Sequence, residues 1–445
     1  MSDQHDPAQQ YGEMSARQHA VIIGGGIGGL LAAHALADRY TEVTILERSH
    51  YPEAVAGTVP PARQGVPQGH CLHLLMGAGV RAFDVLAPNW RREAVARGAI
   101  PFDACADVAM RFPSGWLPRS PSGIEMYACS RSLLEDVLRT EILERPNVTI
   151  SQGCQVAGLL TDPTGKQVSG VCRAVAPADE ETIFANLVVD ASGAASRLQR
   201  WIGDIPGGSD LRAKETVIES GRKYVSCWFH LDPGDAPDWQ CLAVSPTAKA
   251  GHRAAMMLRA ENDFWGVVLL ATNKDDLPKD HREFLDFVES LDDPQFRKVL
   301  EHAKPVSEIH HYGRTASRTR HYDQLGQWPN GLVAIADSVC ALDPYYGLGM
   351  TAAARSALLL AEFVDKHDNE ILSGLDFQKE LAELNAEPWQ IATGHDQSGG
   401  RLRYDKEKYG RLFELAPSDS DVALAILKTQ HLLLPLNRLM ERQLA

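Results

Sequence analysis

Three glycines in the spacing G-x-G-x-x-G, Gly24, Gly26 and Gly29, stand in the run Gly24-Gly25-Gly26-Ile27-Gly28-Gly29. In that spacing the first glycine permits a tight turn and the second lets the backbone reach a pyrophosphate. The third lets a helix pack closely on a strand. Glu47 follows about 20 residues later, where a carboxylate accepts hydrogen bonds from an adenosine ribose. A second pair with chemical potential is His70 and His73. Three residues apart on an expected helix they would share one face, but no third ligand lies near in sequence, so a metal site is not expected.

The glycines act only if a strand delivers them and a helix receives them. Ala20-Val21-Ile22-Ile23 is a short apolar run that ends at the glycines, and Leu30-Leu31 through Leu36 continues with helical periodicity. Glu42 to Glu47 then gives a parallel partner strand, which completes a βαβ unit whose helix N-terminus offers free N–H donors to phosphate. Taken alone, this unit does not separate NAD from FAD.

The remaining chain bounds the possibilities. At 445 residues, 44% hydrophobic and 23% charged, it is long enough for two or three domains with a large core. With 58 acidic against 44 basic residues the net charge is −14, and no dense Lys/Arg block exists to grip a phosphate backbone, so nucleic acid is excluded as a partner. Eight cysteines without a Cys-x-x-Cys pair signal neither a disulfide framework nor a zinc cluster and suit a reducing cytoplasm. Residues 1–18 read as a loose polar tail, and no run is apolar and long enough to span a bilayer. Helical periodicity is expected over Leu72–Leu86 and Arg131–Arg145. Asn147–Leu160 and Val168–Val175 read as a strand pair, and Asp107–Phe112, Tyr224–His230 and Trp265–Leu270 as strands of a second sheet.

Two later segments carry a family resemblance. Val188-Val189-Asp190-Ala191-Ser192-Gly193-Ala194-Ala195-Ser196-Arg197 resembles the middle motif of the FAD-dependent monooxygenase superfamily, the aromatic-hydroxylase fold. Ala334-Ile335-Ala336-Asp337, running to Asp343-Pro344-Tyr345-Tyr346-Gly347-Leu348-Gly349-Met350-Thr351, resembles its last FAD motif. The loop from Arg63 to His73 is most similar to polyether-type olefin epoxidases and related bacterial flavin hydroxylases.

The resemblance implies FAD as cofactor and an α/β fold: a Rossmann-like FAD-binding domain, an inserted substrate domain on a mostly antiparallel sheet, and C-terminal helices. The implied division is 19–106, 129–212 and 322–365 for the FAD-binding domain, 107–128 and 213–321 for the substrate domain, and 366–445 for the helical region. Beyond Gly24, Gly26, Gly29 and Glu47, the implied cofactor-binding residues are Arg48, Arg63, Arg131, Val156 by the adenine, and Asp190. Asp337 would bond the ribityl chain, and Pro344, Gly347, Gly349, Met350 and Thr351 would curl under the isoalloxazine. No catalytic side chain is assigned. The implied reaction inserts one oxygen atom of O2, through a flavin C4a-hydroperoxide, into a small hydrophobic natural-product-like substrate by epoxidation or hydroxylation. An FAD-dependent reductase or dehydrogenase of an isoprenoid-like substrate is the alternative.

Departures refine these expectations. Ala336 stands where many relatives have Gly, and Leu348 where many have Gln. Ser192 replaces an acid associated with NAD(P)H handling, so electrons are expected either from NAD(P)H or from a separate flavin reductase. Flavin halogenases share the fold but use a lysine after the first motif and a Trp-x-Trp element. Here no lysine precedes Lys166 and no two of the eight tryptophans lie two apart, which excludes halogenation.

Overall fold

The computed structural model describes residues 17–441 apart from 54–56, 60, 177–178, 248–249, 273–276, 292, 368–370 and 395–405. Most of the expected N-terminal tail lies outside the described residues.

Five strands form a parallel sheet: β1 (His19–Ile23), β2 (Glu42–Glu47), β3 (Val148–Gln152), β4 (Leu187–Asp190) and β5 (Leu332–Ala334), in the order β5-β4-β1-β2-β3. Every neighbouring pair is parallel, and β1, β2, β4 and β5 are almost wholly buried, as apolar runs covered on both faces must be, while the edge strand β3 is largely exposed or half-buried. Order reverses across β1, which is where a doubly wound sheet opens a crevice for a dinucleotide. Helix α1 (Ile27–Leu36) leaves β1 and is apolar all round, because α3 (Gly349–Lys366) covers the face turned away from the sheet. Helix α2 (Arg131–Leu143) lies between these two in the chain, and its N-cap Ser130 accepts the Leu133 N–H.

A second, eight-stranded sheet runs Lys304–Pro305, Lys223–His230, Phe264–Ala271, Ala254–Arg259, Cys241–Val244, Val108–Phe112, Gly115–Trp116, with His310–Tyr312 also paired to Lys223–His230. All its pairings are antiparallel except Cys241–Val244 beside Val108–Phe112. Alternation sorts its faces. Val225, Cys227, Phe229, Val267 and Leu269 pack on helices His281–Glu289 and Gln295–Leu300, while Tyr224, Val268 and Leu270 face the other way, toward Tyr345.

Two sequence readings are corrected. Leu72–Leu86 is not one helix: His73–Leu75 pairs antiparallel with Glu125–Cys129, and the helix starts only at Gly77, so long-range pairing overrides the local periodicity. His70 and His73 therefore share no helix face. Asn147–Leu160 is likewise two strands, because Gly153, at φ +67°, turns the chain from β3 into the hairpin strand Gln155–Thr161.

The C-terminal helices Ser420–Gln430 and Leu436–Glu441 close one end, burying Val422, Ile426 and Leu439 in a cluster with Phe112 and Leu117. Behind them, buried His431 accepts the Gly77 N–H at its Nδ1, 3.0 Å away, at the start of helix Gly77–Leu86. Burial lowers this imidazole from 6.5 to about 4. Between those values the unfolded chain binds a proton that the folded chain refuses, so stability falls as pH drops from 6.5 toward 4. The loss is about 1.4 kcal/mol per pH unit, or about 3 kcal/mol in all. Denaturant titrations across that range should show a shallower slope in His431→Gln, which keeps an acceptor but cannot titrate. An unchanged slope would place the acid lability elsewhere.

Candidate cofactor-binding site

The glycine turn is built as the spacing requires. Gly24 has φ +99°, and a Cβ there would lie 2.7 Å from the Ala191 carbonyl oxygen. A Cβ on Gly29 would lie 1.8 Å from the Gly24 carbonyl oxygen, so α1 touches the turn with no room for a methyl group. Gly26 is different: it is the N-cap of α1 in extended backbone, no side chain caps it, and its Cβ position meets only Arg63 Nη2 at 3.6 Å and Arg131 Nη2 at 3.7 Å.

Around this turn sits a buried ionic network. Glu47 Oε2 accepts the Gly25 N–H at 2.7 Å and pairs with Arg63 Nη1 at 2.7 Å, while its Oε1 accepts the Ser49 N–H and hydroxyl. Burial alone would raise the Glu47 carboxyl, but Arg63 and these hydrogen bonds outweigh it and hold it below the usual range. Glu135, one turn into α2, accepts from Arg131 Nε at 2.9 Å and lies 3.3 Å from Arg63 Nε. The Tyr51 hydroxyl donates to the Gly25 carbonyl, and its ring lies under the guanidinium groups of Arg63 and Arg139. Arg48 is exposed beside Gly65. Val156 is buried core two residues after Cys154, whose N–H bonds the Glu47 carbonyl at 2.8 Å.

Asp190 is fully buried and takes the Ser192 N–H and the hydroxyls of Ser192 and Ser196. It shapes the loop whose Ala191 carbonyl meets Gly24. The Asp337 carboxylate is half-buried and has no hydrogen-bond partner among the described residues; burial raises it against the pull of Arg131. Tyr312, pushed up to about 12 by burial and then by Asp337, stands near it. Ala336 has φ +54°, which explains why glycine suits the position and why alanine costs roughly 1 kcal/mol there.

After Asp337, the turn Pro344–Tyr346 ends at Gly347 with φ +66°, and α3 begins at Gly349, where a Cβ would meet nothing within 4 Å. Leu348 gives α3 no side-chain cap. Met350 and Thr351 are buried, with Thr351 Oγ1 against Gly79.

Sequence reasoning passed over what anchors this turn. Asp343, 1% exposed, accepts from the Tyr224 hydroxyl and from Arg222 Nη1, both at 2.7 Å, and from the Tyr345 N–H. Arg222 also stacks over the rings of Tyr345 and Tyr346. Tyr127 packs edge-on against Trp90. His73 is held near 3 by burial and by Arg131, and His70 stacks on His310 with ring centroids 3.9 Å apart. No group of three or more His, Cys, Asp or Glu side chains suited to a metal occurs among the described residues.

An uncapped helix start, two guanidinium ends over an open glycine and a carboxylate without a partner fit the pyrophosphate and ribityl chain of FAD. If Asp337 bonds the ribityl chain, its removal in Asp337→Ala costs about 1–3 kcal/mol, and the FAD dissociation constant should rise roughly tenfold or more. Fluorescence titration of the apoprotein reads this directly, and an unchanged constant would show that the acid faces elsewhere.

The family model described as FAD binding domain matches residues 17–361. Protein Rv3254 of Mycobacterium tuberculosis is 31% identical over 359 residues, 77% of this chain and 72% of that protein. Kynurenine 3-monooxygenase of Salinispora arenicola is 25% identical over 370 residues, 79% of this chain and 73% of that one. Among solved structures the flavin-dependent brominase Bmp2 superposes with a TM-score of 0.64 at 15% identity, over 93% of this chain and 94% of that one, a likeness of fold alone. With a glycine turn of the required geometry and the family match over residues 17–361, the chain belongs to the FAD-binding monooxygenase family.

Proposed function

We propose that this flavin-dependent monooxygenase inserts one atom of O2 into a small hydrophobic alkene or aromatic molecule, by epoxidation or hydroxylation. The observation that carries the reading is the junction at Tyr345. The turn that opens α3 is pinned by Asp343 to Arg222 and Tyr224, under a sheet face of Tyr224, Ala254, Val268, Leu270 and Tyr312. Bound FAD, once reduced, supplies the oxygen-transfer chemistry. The chain's part is to hold it and keep water out. The uncapped start of α3 favours negative charge on the cofactor edge it meets, by roughly 0.3–2 kcal/mol. The apolar sheet face excludes the water that would divert the oxygen to peroxide, and it selects a hydrophobic substrate. No general base is required of the chain for attack on an electron-rich carbon.

We take 19–106, 129–212 and 322–365 as the FAD-binding domain and 107–128 with 213–321 as the substrate domain. Electrons come from NAD(P)H or from a separate flavin reductase, because Ser192 spends its hydroxyl on Asp190 and brings no acid to that loop. A cytoplasmic setting suits the eight cysteines, all of them free. No described helix is long and apolar enough to cross a membrane.

The test is isotopic. Photoreduced holoenzyme is mixed with labelled O2 and a panel of hydrophobic alkenes and phenols, and products are read by mass spectrometry. One labelled oxygen atom per product supports the reading. Hydrogen peroxide alone across the panel, or products altered only in hydrogen count, overturns it.

A further inference from the structure

We propose that Glu135 is a positioning residue that holds Arg63 and Arg131 as a two-armed clamp on the FAD pyrophosphate. The inference rests on the FAD reading and goes beyond it, because Glu135 itself need not touch the cofactor. Its side chain is buried, in the second turn of α2, and each of its oxygens faces a different arginine. Oε1 accepts from Arg131 Nε at 2.9 Å, and Oε2 lies 3.3 Å from Arg63 Nε.

The remaining corners of the two guanidinium groups show what this fixes. Arg63 Nη1 is spent on Glu47 at 2.7 Å and on the Ser49 hydroxyl at 3.3 Å. Its Nη2 and the Nη2 of Arg131 have no hydrogen-bond partner among the described residues, and both end within 3.7 Å of the place a Gly26 Cβ would fill. Two free donor ends therefore converge on the uncapped start of α1, from a long loop on one side and from the first residue of α2 on the other. Arginine side chains carry several rotatable bonds, and aiming two of them unaided would cost much of the affinity they give. A single buried carboxylate, hydrogen-bonded to Arg131 Nε through one oxygen and in ion-pair contact with Arg63 Nε through the other, keeps both forks aimed the same way.

Charge alone predicts the opposite of positioning. Glu135 is an anion close to where a dianion binds, so neutralising it would tighten pyrophosphate binding if it acted only through its field. In apoprotein titrations, Glu135→Gln should weaken FAD ten- to a hundredfold and ADP by a similar factor, and leave adenosine, which has no phosphate, unchanged. Glu135→Asp, whose carboxylate is shorter by one methylene, should fall between. In an Arg63→Ala, Arg131→Ala background Glu135→Gln should weaken FAD no further.

Unchanged or tighter FAD and ADP binding in Glu135→Gln would overturn the proposal. So would an equal loss in the background lacking both arginines, or an equal loss for adenosine, since each would mark Glu135 as merely structural. If Glu135→Gln does not fold, the same outcomes are read from Glu135→Asp. Failure of the unsubstituted apoprotein to bind FAD at all would instead overturn the cofactor reading beneath it.

Discussion

Gly26→Val should leave a folded protein that no longer holds FAD, whereas Gly29→Ala, a smaller change three residues on, should fail to fold. Gly26 has φ −77° and ψ −175°, backbone that valine adopts freely. Its Cβ position meets only the movable ends of Arg63 and Arg131 at 3.6 and 3.7 Å, an ordinary van der Waals distance. The apoprotein loses little. The pyrophosphate loses its place, because a branched side chain stands between the start of α1 and both guanidinium groups. Each charge-assisted hydrogen bond forfeited there is worth about 1.5–3 kcal/mol, so losing two or three raises the dissociation constant by about a hundredfold or more. At Gly29 the obstacle is the Gly24 carbonyl oxygen, 1.8 Å from the new methyl group. Neither atom can move without parting α1 from β1, the central strand of the parallel sheet. Circular dichroism and thermal melts separate the two outcomes, and FAD retention on purified Gly26→Val protein would show that the cofactor does not approach the turn as argued.

That contrast also shows what a sequence makes legible. The glycine turn, Glu47 and the βαβ unit are visible because their physics is local: a few residues of strand, turn and helix carry the whole constraint in their spacing. Asp337 and the turn to Thr351 are legible through a motif for the same reason. Glu135 stands four residues after Arg131, a visible spacing, but an i, i+4 pair of opposite charge on a helix is ordinarily a solvated surface contact worth a few tenths of a kcal/mol. Only the loop that brings Arg63 to its other oxygen makes it a buried one. Arg222 carries no signal at all, since its partner Asp343 is 121 residues away. Buried Glu261 is equally silent: it sits in a hairpin turn of the mixed sheet and accepts the Ser130 N–H at 2.9 Å, 131 residues back in the chain. The histidines fail for a related reason. Periodicity around Leu72 suits a helix until the antiparallel pairing with Glu125–Cys129 captures His73–Leu75 as a strand.

Asp343→Ala is expected to destabilise the protein by about 3 kcal/mol. Asp343 is 1% exposed and satisfies three donors: the Tyr224 hydroxyl, Arg222 Nη1 and the Tyr345 N–H. Removing it strands the buried Tyr224 hydroxyl and leaves Arg222, whose side chain is 23% exposed, without its counter-charge. Losing one partner of a buried pair costs about 3–5 kcal/mol; partial exposure of Arg222 places this site at the lower end. Asp343→Asn should recover about half of that, because its amide oxygen can still accept from Tyr345 or Tyr224 while the ionic attraction to Arg222 is gone. The consequence for the cofactor site is geometric. The turn Pro344–Tyr346 is tied to the mixed sheet by Asp343 and by the stacking of Arg222 on Tyr345 and Tyr346. Cutting the tie frees the turn that sets where α3 begins, so Asp343→Ala should weaken FAD in addition to lowering the unfolding midpoint. Arg222→Met, which keeps the stem over the two rings but removes the charge, should cost less stability than Asp343→Ala because it leaves the Tyr224 and Tyr345 bonds intact. Equal losses in the two variants would mean that the ion pair, and not the set of three hydrogen bonds, holds the turn to the sheet.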